Sequence, residues 1–171
     1  MIKTGSIKYP KMFLDVSKDI AYSRWLITTE IRNSKNEYQR GDKQHELDIE
    51  TKGILGELVA RHHLEVENID YKPMPLVNEK PFKGADIVIG EHRIDVKASN
   101  NKNTLMVNEK AHLKGGGKID FYWFIILEAD CVARYFVYSY NQINNWEVKK
   151  MTYTNAYIKP IPESSVLFSN V

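Results

Sequence analysis

Residues 84–99 read GADIVIGEHRIDVKAS, and this stretch decides the fold class. Two apolar-rich segments flank Gly90-Glu91, and a glycine at the first central position suits a two-residue type II′ hairpin turn. That turn sets a register in which Ile89 faces His92, Val88 faces Arg93, Ile87 faces Ile94, and Asp86 faces Asp95. Residues directly opposite in an antiparallel pair have Cβ atoms about 4.5–5.5 Å apart, and like charges there are destabilising. Strand periodicity also puts Asp95 and Lys97 on one face, with Ile94 and Val96 on the other. Two facing carboxylates do nothing for folding. A divalent cation between them would explain their presence.

Working outward, residues 119–127 (IDFYWFIIL) are apolar on both faces, as a central buried strand requires. Residues 132–140 (VARYFVYSY) form a partner strand after a turn at Glu128–Asp130. Upstream, a helix is expected over Asp48–Leu64, with Asp48 as its cap and Ile54, Leu55, Leu58 and Val59 as its apolar stripe. Gly53 and Gly56 each cost on the order of 1 kcal/mol inside a helix. Close approach of another backbone would compensate, and Glu57 beside them would be carried toward the sheet. A strand is expected within Val66–Val77, shortened by Pro73 and Pro75. An earlier helix is expected over Asp15–Glu37, where Gly and Pro are absent. Met1–Lys11 reads as irregular, Asn100–Asn103 as a loop, Val107–Lys114 as a short helix stopped by Gly115-Gly116-Gly117, and Asn141–Trp146 as the start of another. The tail from Thr152 carries Pro160 and Pro162 and has no clear pattern. The class is α/β, with a mixed central sheet flanked by helices.

The bulk composition narrows the function classes. A chain of 171 residues suits one domain: a helical extension over about 1–45, a core over about 48–140 and an extension over 141–171. Hydrophobic content of 43% and charged content of 27% are ordinary for a soluble globular protein. The net charge of +2 neither demands nor excludes nucleic acid, since a basic patch can hide in a neutral total. The single cysteine, Cys131, forbids an internal disulfide, and no Cys/His zinc spacing occurs. The longest apolar run, Phe121–Leu127, is too short to span a membrane, and the N-terminus lacks a secretion-signal core. A cytoplasmic location is the expectation.

Glu57, Asp86 and Asp95 together suit a hard cation such as Mg²⁺, which prefers carboxylate oxygens and keeps several waters. Lys97, two residues beyond Asp95, would stand beside such a water and orient it or stabilise transition-state charge. The reaction class is metal-assisted hydrolysis of a phosphodiester. Each acid also has a plainer reading, as a strand carboxylate paired to Arg93 or Lys97, or as a polar-face helix glutamate. Lys102, Lys110, Lys114 and Lys118 gather around the glycine run, where bare amides and ammonium groups suit phosphate contact. Ser99 continues the face of Asp95 and Lys97, and either touches a phosphate or ends the strand.

The pattern Glu57, Asp86, Asp95-x-Lys97 resembles the PD-(D/E)XK nuclease superfamily, through both the motif and the element order over roughly residues 48–140. GILGELVARHHL is similar to the family's first core helix, GADIVIG to its second strand and RIDVKAS to its third. Ala85 stands where the family's motif has proline. The resemblance implies a restriction-endonuclease-like αβββαβ core. It also implies an endodeoxyribonuclease in which Asp86 and Asp95 ligate Mg²⁺ (Mn²⁺ as a substitute), Lys97 assists the attacking water and Glu57 is an accessory ligand. Duplex or branched DNA is the expected partner, and a symmetric dimer would supply two sites for two strands. A Holliday-junction resolvase of the same fold, or a non-catalytic binding member such as a phage-type inhibitor, are the alternatives.

Overall fold

The computed structural model describes residues 4–34, 42–77, 84–152 and 154–162. In chain order the elements are β1 (Thr4–Lys8), α1 (Phe13–Ser34), α2 (Lys43–Val66), β2 (Lys72–Pro73), β3 (Ile87–Ile89), β4 (His92–Ser99), β5 (Thr104–Asn108), α3 (Glu109–Gly115), β6 (Phe121–Leu127), β7 (Val132–Ser139), α4 (Tyr140–Ile143), β8 (Glu147–Lys150) and β9 (Asn155–Pro160). The molecule is α/β with a mixed sheet. Six strands run in the order β1-β7-β6-β4-β3-β2, and β5-β9-β8 form a second, three-stranded sheet. Within the large sheet only the β4–β6 pair is parallel.

The expected central strand is central. β6 lies between β4 and β7 and is buried on both faces. Its alternate residues feed two cores. Trp123 and Ile125 join Ile94, Val96, Leu55, Val59 and Leu64 on the α2 side. Tyr122, Phe124 and Ile126 join Leu105, Val107, Ile143 and Tyr157 on the other side. The large sheet is therefore covered by helices on one face. On the other face it is covered by the small sheet with α3 and α4, which differs from the expectation of helices alone.

Four expectations need correction. Residues 4–8 are not irregular: β1 pairs antiparallel with β7, from Thr4 opposite Phe136 to Lys8 opposite Val132. The region before residue 45 is thus part of the sheet as well as helical. TGSIK carries one buried apolar side chain, Ile7, and a glycine that leaves room for the Tyr135 ring, so it shows no alternation to read. Second, α2 starts at Lys43, five residues earlier than expected. Asp42, not Asp48, is the cap, with its Oδ1 accepting the His45 amide at 2.8 Å, while Asp48 sits inside the helix and accepts from Gln44. Third, residues 104–108 form β5, and the short helix begins only at Glu109, capped by Asn108. Fourth, a strand (β9) occupies the tail at Asn155–Pro160, where the sequence shows no pattern, whereas the short strand expected within Val66–Val77 is present as the two-residue β2. The loop expected over residues 78–83 lies outside the described residues.

α2 lies against β4 through Gly56. A Cβ there would stand 2.3 Å from the Ala98 Cβ, so only glycine permits this approach. Gly53 meets nothing within 4 Å and has no packing reason. Among the described residues no helix is long and apolar enough to cross a membrane.

Candidate active site

β4 alternates as expected. Ile94 and Val96 are buried toward α2, and Asp95 and Lys97 point to the opposite face. The hairpin register also follows the turn: Ile87 pairs Ile94, Val88 pairs Arg93 and Ile89 pairs His92. Gly90 has φ +57 and Glu91 is not in the left-handed region, the combination a type II′ turn needs.

Asp86 departs from that ladder. Instead of simply facing Asp95, its amide donates to the Ile94 carbonyl at 2.8 Å and its Oδ2 accepts the Val96 amide at 2.7 Å. The carboxylate is thereby tied to the backbone between Asp95 and Lys97. Lys97 Nζ pairs with Asp95 Oδ2. Oδ1 of Asp86 and Oδ1 of Asp95 accept no hydrogen bond from a described residue.

Gly56 brings Glu57 to the same neighbourhood. Its side chain is 8% exposed, and both oxygens are engaged: Oε1 by Arg24 Nη2 at 3.2 Å, Oε2 by Arg61 Nη2 at 3.6 Å. Arg24 also donates to the Leu76 carbonyl at 2.8 Å through Nε, and Arg61 to the Met74 carbonyl at 2.5 Å. The two arginines therefore tie the segment before β3 to the helices that carry them.

Charge and burial act together here. Burial pushes the Asp86 carboxyl up to about 7, helped by the charges of Asp95 and Glu57 and opposed by Lys97 and the Val96 amide. Burial also raises Glu57, against the pull of Arg24 and Arg61. For Lys97 burial disfavours the ammonium, but Asp95 and Asp86 outweigh it and hold its pKa above the ordinary value. Glu57 is balanced by Arg24 and Arg61 and Asp95 by Lys97, so Asp86 is the acid of the three that makes no ion pair with a described residue.

Asp95 and Lys97 open onto a cavity of about 480 Å³. Across it stand Ala111 and Lys114 of α3, and beside them Lys118, Ile119 and Tyr122. Lys114 and Lys118 thus share a space with the β4 pair. Lys102 is exposed and does not line it, nor does Ser99, whose Oγ accepts the Asn101 amide at 2.9 Å and shapes the turn after β4. Asp86 and Glu57 do not line the cavity either.

Among the described residues no three His, Cys, Asp or Glu side chains converge closely enough to hold a metal by themselves. Mg²⁺ does not need such a cage: it is commonly held by one or two carboxylates and retains waters. Asp86 and Asp95 each supply a carboxylate of that kind, with an Oδ1 that accepts no hydrogen bond from a described residue.

Three contributors escaped the sequence. Arg24 lies 33 residues from Glu57, and nothing in its local pattern marks it. Tyr122 lines the cavity, and its hydroxyl lies 2.9 Å from Nδ1 of the fully buried His112. His112 Nε2 lies 2.9 Å from Asn144 Oδ1, which can only accept, so Nε2 carries the proton and Tyr122 donates to Nδ1. The Tyr140 ring stacks on that imidazole at 4.0 Å. No protein-family model, no curated protein and no solved structure matches this chain.

Proposed function

We propose that the chain is a divalent-metal-dependent endonuclease hydrolysing DNA phosphodiester bonds, with a PD-(D/E)XK, restriction-endonuclease-like core. The observation that carries this reading is the Asp95–Lys97 pair beside an Asp86 carboxyl pushed up to about 7. Burial first, and then the neighbouring charges of Asp95 and Glu57, raise that carboxyl, and perturbed acids of this kind gather at functional sites.

Asp86 and Asp95 would hold Mg²⁺, or Mn²⁺ in its place, through their open Oδ1 atoms. The bound cation would polarise a phosphoryl oxygen and lower the pKa of a coordinated water. Asp86 is kept in position by the Val96 amide, so its free oxygen needs little reordering on loading. Lys97 keeps its proton at neutral pH and would orient the attacking water or offset charge building on the phosphoryl oxygens. Glu57, held by Arg24 and Arg61, would act as the accessory acid through its charge and through ordered water. Lys114 and Lys118 would contact the phosphates of the bound strand. A symmetric dimer would present two such sites.

The test is a panel of single-stranded, nicked, branched and linear DNA with Mg²⁺ and with Mn²⁺. The wild type is expected to cleave at least one substrate only when metal is present. Asp95→Ala and Lys97→Ala are expected to abolish cleavage while melting cooperatively. Cleavage that survives both substitutions would overturn the assignment.

A further inference from the structure

The cavity beside Asp95 has two kinds of wall. Lys97, paired with Asp95 on the same wall, and Lys114 and Lys118 supply ammonium groups, and Ala111 and Ile119 supply apolar surface backed by the buried Val107 and Tyr122. A backbone phosphate alone would use only the first kind. A whole nucleotide uses both, with its phosphate among the lysines and its base against the apolar side chains.

Size sets the second limit. A cube of about 480 Å³ has an edge of about 8 Å, which is less than the roughly 12 Å width of the B-DNA major groove alone. A continuous duplex is too wide to enter, whereas cavities of about 300–1,000 Å³ suit small-molecule-sized groups. The far wall is also part of the fold. α3 is anchored by buried His112, which is bonded to Tyr122 on β6 and to Asn144, so the wall does not swing away without breaking a buried network.

We infer that this cavity takes a single nucleotide of a strand lying outside a duplex, with its base against Val107, Ala111, Ile119 and Tyr122 and its phosphate toward Lys97, Lys114 and Lys118. The inference rests on the nuclease reading for what happens next, but the binding step stands apart from it. Taking a base out of a stacked duplex costs a few kcal/mol, and the cost is least for a strand already single. Single-stranded segments, flaps and frayed ends are therefore the preferred substrates.

Two arms test this. In the first, a short fluorescent oligothymidylate and a closed hairpin duplex of equal length are titrated with the protein in Ca²⁺. The oligothymidylate is expected to bind at least about tenfold more tightly, the scale of one base contact. Ala111→Trp fills the cavity from an exposed position on α3 and is expected to erase that preference, with cooperative melting as the check on folding. Lys114→Ala and Lys118→Ala are expected to weaken binding by about threefold to tenfold each. Equal affinity for the two probes, or a folded Ala111→Trp that keeps the preference, would overturn the inference. So would thymidine monophosphate that competes as strongly as the oligomer, which would assign the cavity to free nucleotides. In the second arm, Mg²⁺-dependent cleavage is followed on the same two DNAs. Equal cleavage of both overturns the inference and leaves the nuclease reading standing. Cleavage of neither overturns the nuclease reading, and the binding arm then decides the cavity by itself.

Discussion

Asp86→Asn is expected to make the protein more stable at neutral and alkaline pH while removing its response to metal. The side chain is nearly isosteric, and the new amide oxygen can still accept the Val96 amide that Asp86 Oδ2 accepts at 2.7 Å. What disappears is a buried charge opposed by Asp95 and Glu57. The carboxyl is raised from 3.8 to about 7, and at about 1.4 kcal/mol per unit the cost of ionising it in the folded state is on the order of 4 kcal/mol. Relaxation and water entry reduce that ceiling, and about 2 kcal/mol is a reasonable working figure. For a chain of this size it corresponds to a rise in Tm of roughly 4–8 °C.

The sign follows from linkage. Between about pH 4 and about pH 7 the folded state binds the proton more tightly than the unfolded state, so this group's contribution falls as pH rises. It is fully present below 3.8 and lost above about 7. The difference in Tm between Asp86→Asn and wild type should therefore be largest near about pH 8 and close to zero near about pH 4. Thermal melts across that range measure it directly. Saturating Mg²⁺ at the alkaline end should raise the wild-type Tm and leave the variant's unchanged, because binding only to the folded state adds stability. A gap between the curves that does not change with pH, or a variant less stable than wild type at about pH 8, would show that the Asp86 charge is not what limits stability there.

Gly56→Ala should destabilise by about 1–3 kcal/mol despite the better helix propensity, because its Cβ would meet that of Ala98 at 2.3 Å; urea melts of Gly56→Ala alone and combined with Ala98→Gly should show the loss and its recovery. His112→Phe keeps the ring but orphans the Tyr122 hydroxyl, at a cost of about 1–3 kcal/mol; adding Tyr122→Phe should recover part of it in a double-mutant cycle. Asp120 is held down to about 2 by its hydrogen bonds to Arg93, so its contribution is present above 3.8 and lost as pH falls toward 2. Asp120→Asn should flatten the acid side of the stability curve, by only about 1 kcal/mol because the pair is open to solvent.

The hairpin, the central strand and the helix beneath them were legible because each obeys a short-range rule. A glycine turn set the register of β3 and β4, the doubly apolar run 119–127 marked the middle of the sheet, and Gly56 signalled a close approach that Ala98 completes. The approach of Glu57, Asp86 and Asp95 to within reach of one another's charge followed from these elements. What stayed hidden was what side chains do across long separations or to the backbone. Asp86 leaves the ladder because its own carboxylate captures the Val96 amide, a competition that strand periodicity does not contain. Glu57 is occupied by Arg24 from another helix, and the cavity's far wall depends on the contact of His112 with Tyr122 and Asn144. β1 and β5 are not legible in the sequence for a simpler reason. Each is five residues long, and TGSIK has little apolar surface, since its burial comes from the β7 strand beside it.

On the proposed reading, Asp86, Asp95 and Lys97 would hydrolyse a phosphodiester at one site. The most direct measurement uses an end-labelled DNA that joins a duplex to a single-stranded arm, incubated with Mg²⁺ and wild type, Lys97→Ala or Lys97→Arg. Wild type should cut the DNA, and chelation should stop it. Lys97→Ala should lose about a hundredfold or more of the rate, with Lys97→Arg restoring part of it through its charge. Cutting by Lys97→Ala at the wild-type rate, or none by wild type with Mg²⁺ or Mn²⁺, would overturn the assignment of this site as a metal-dependent nuclease.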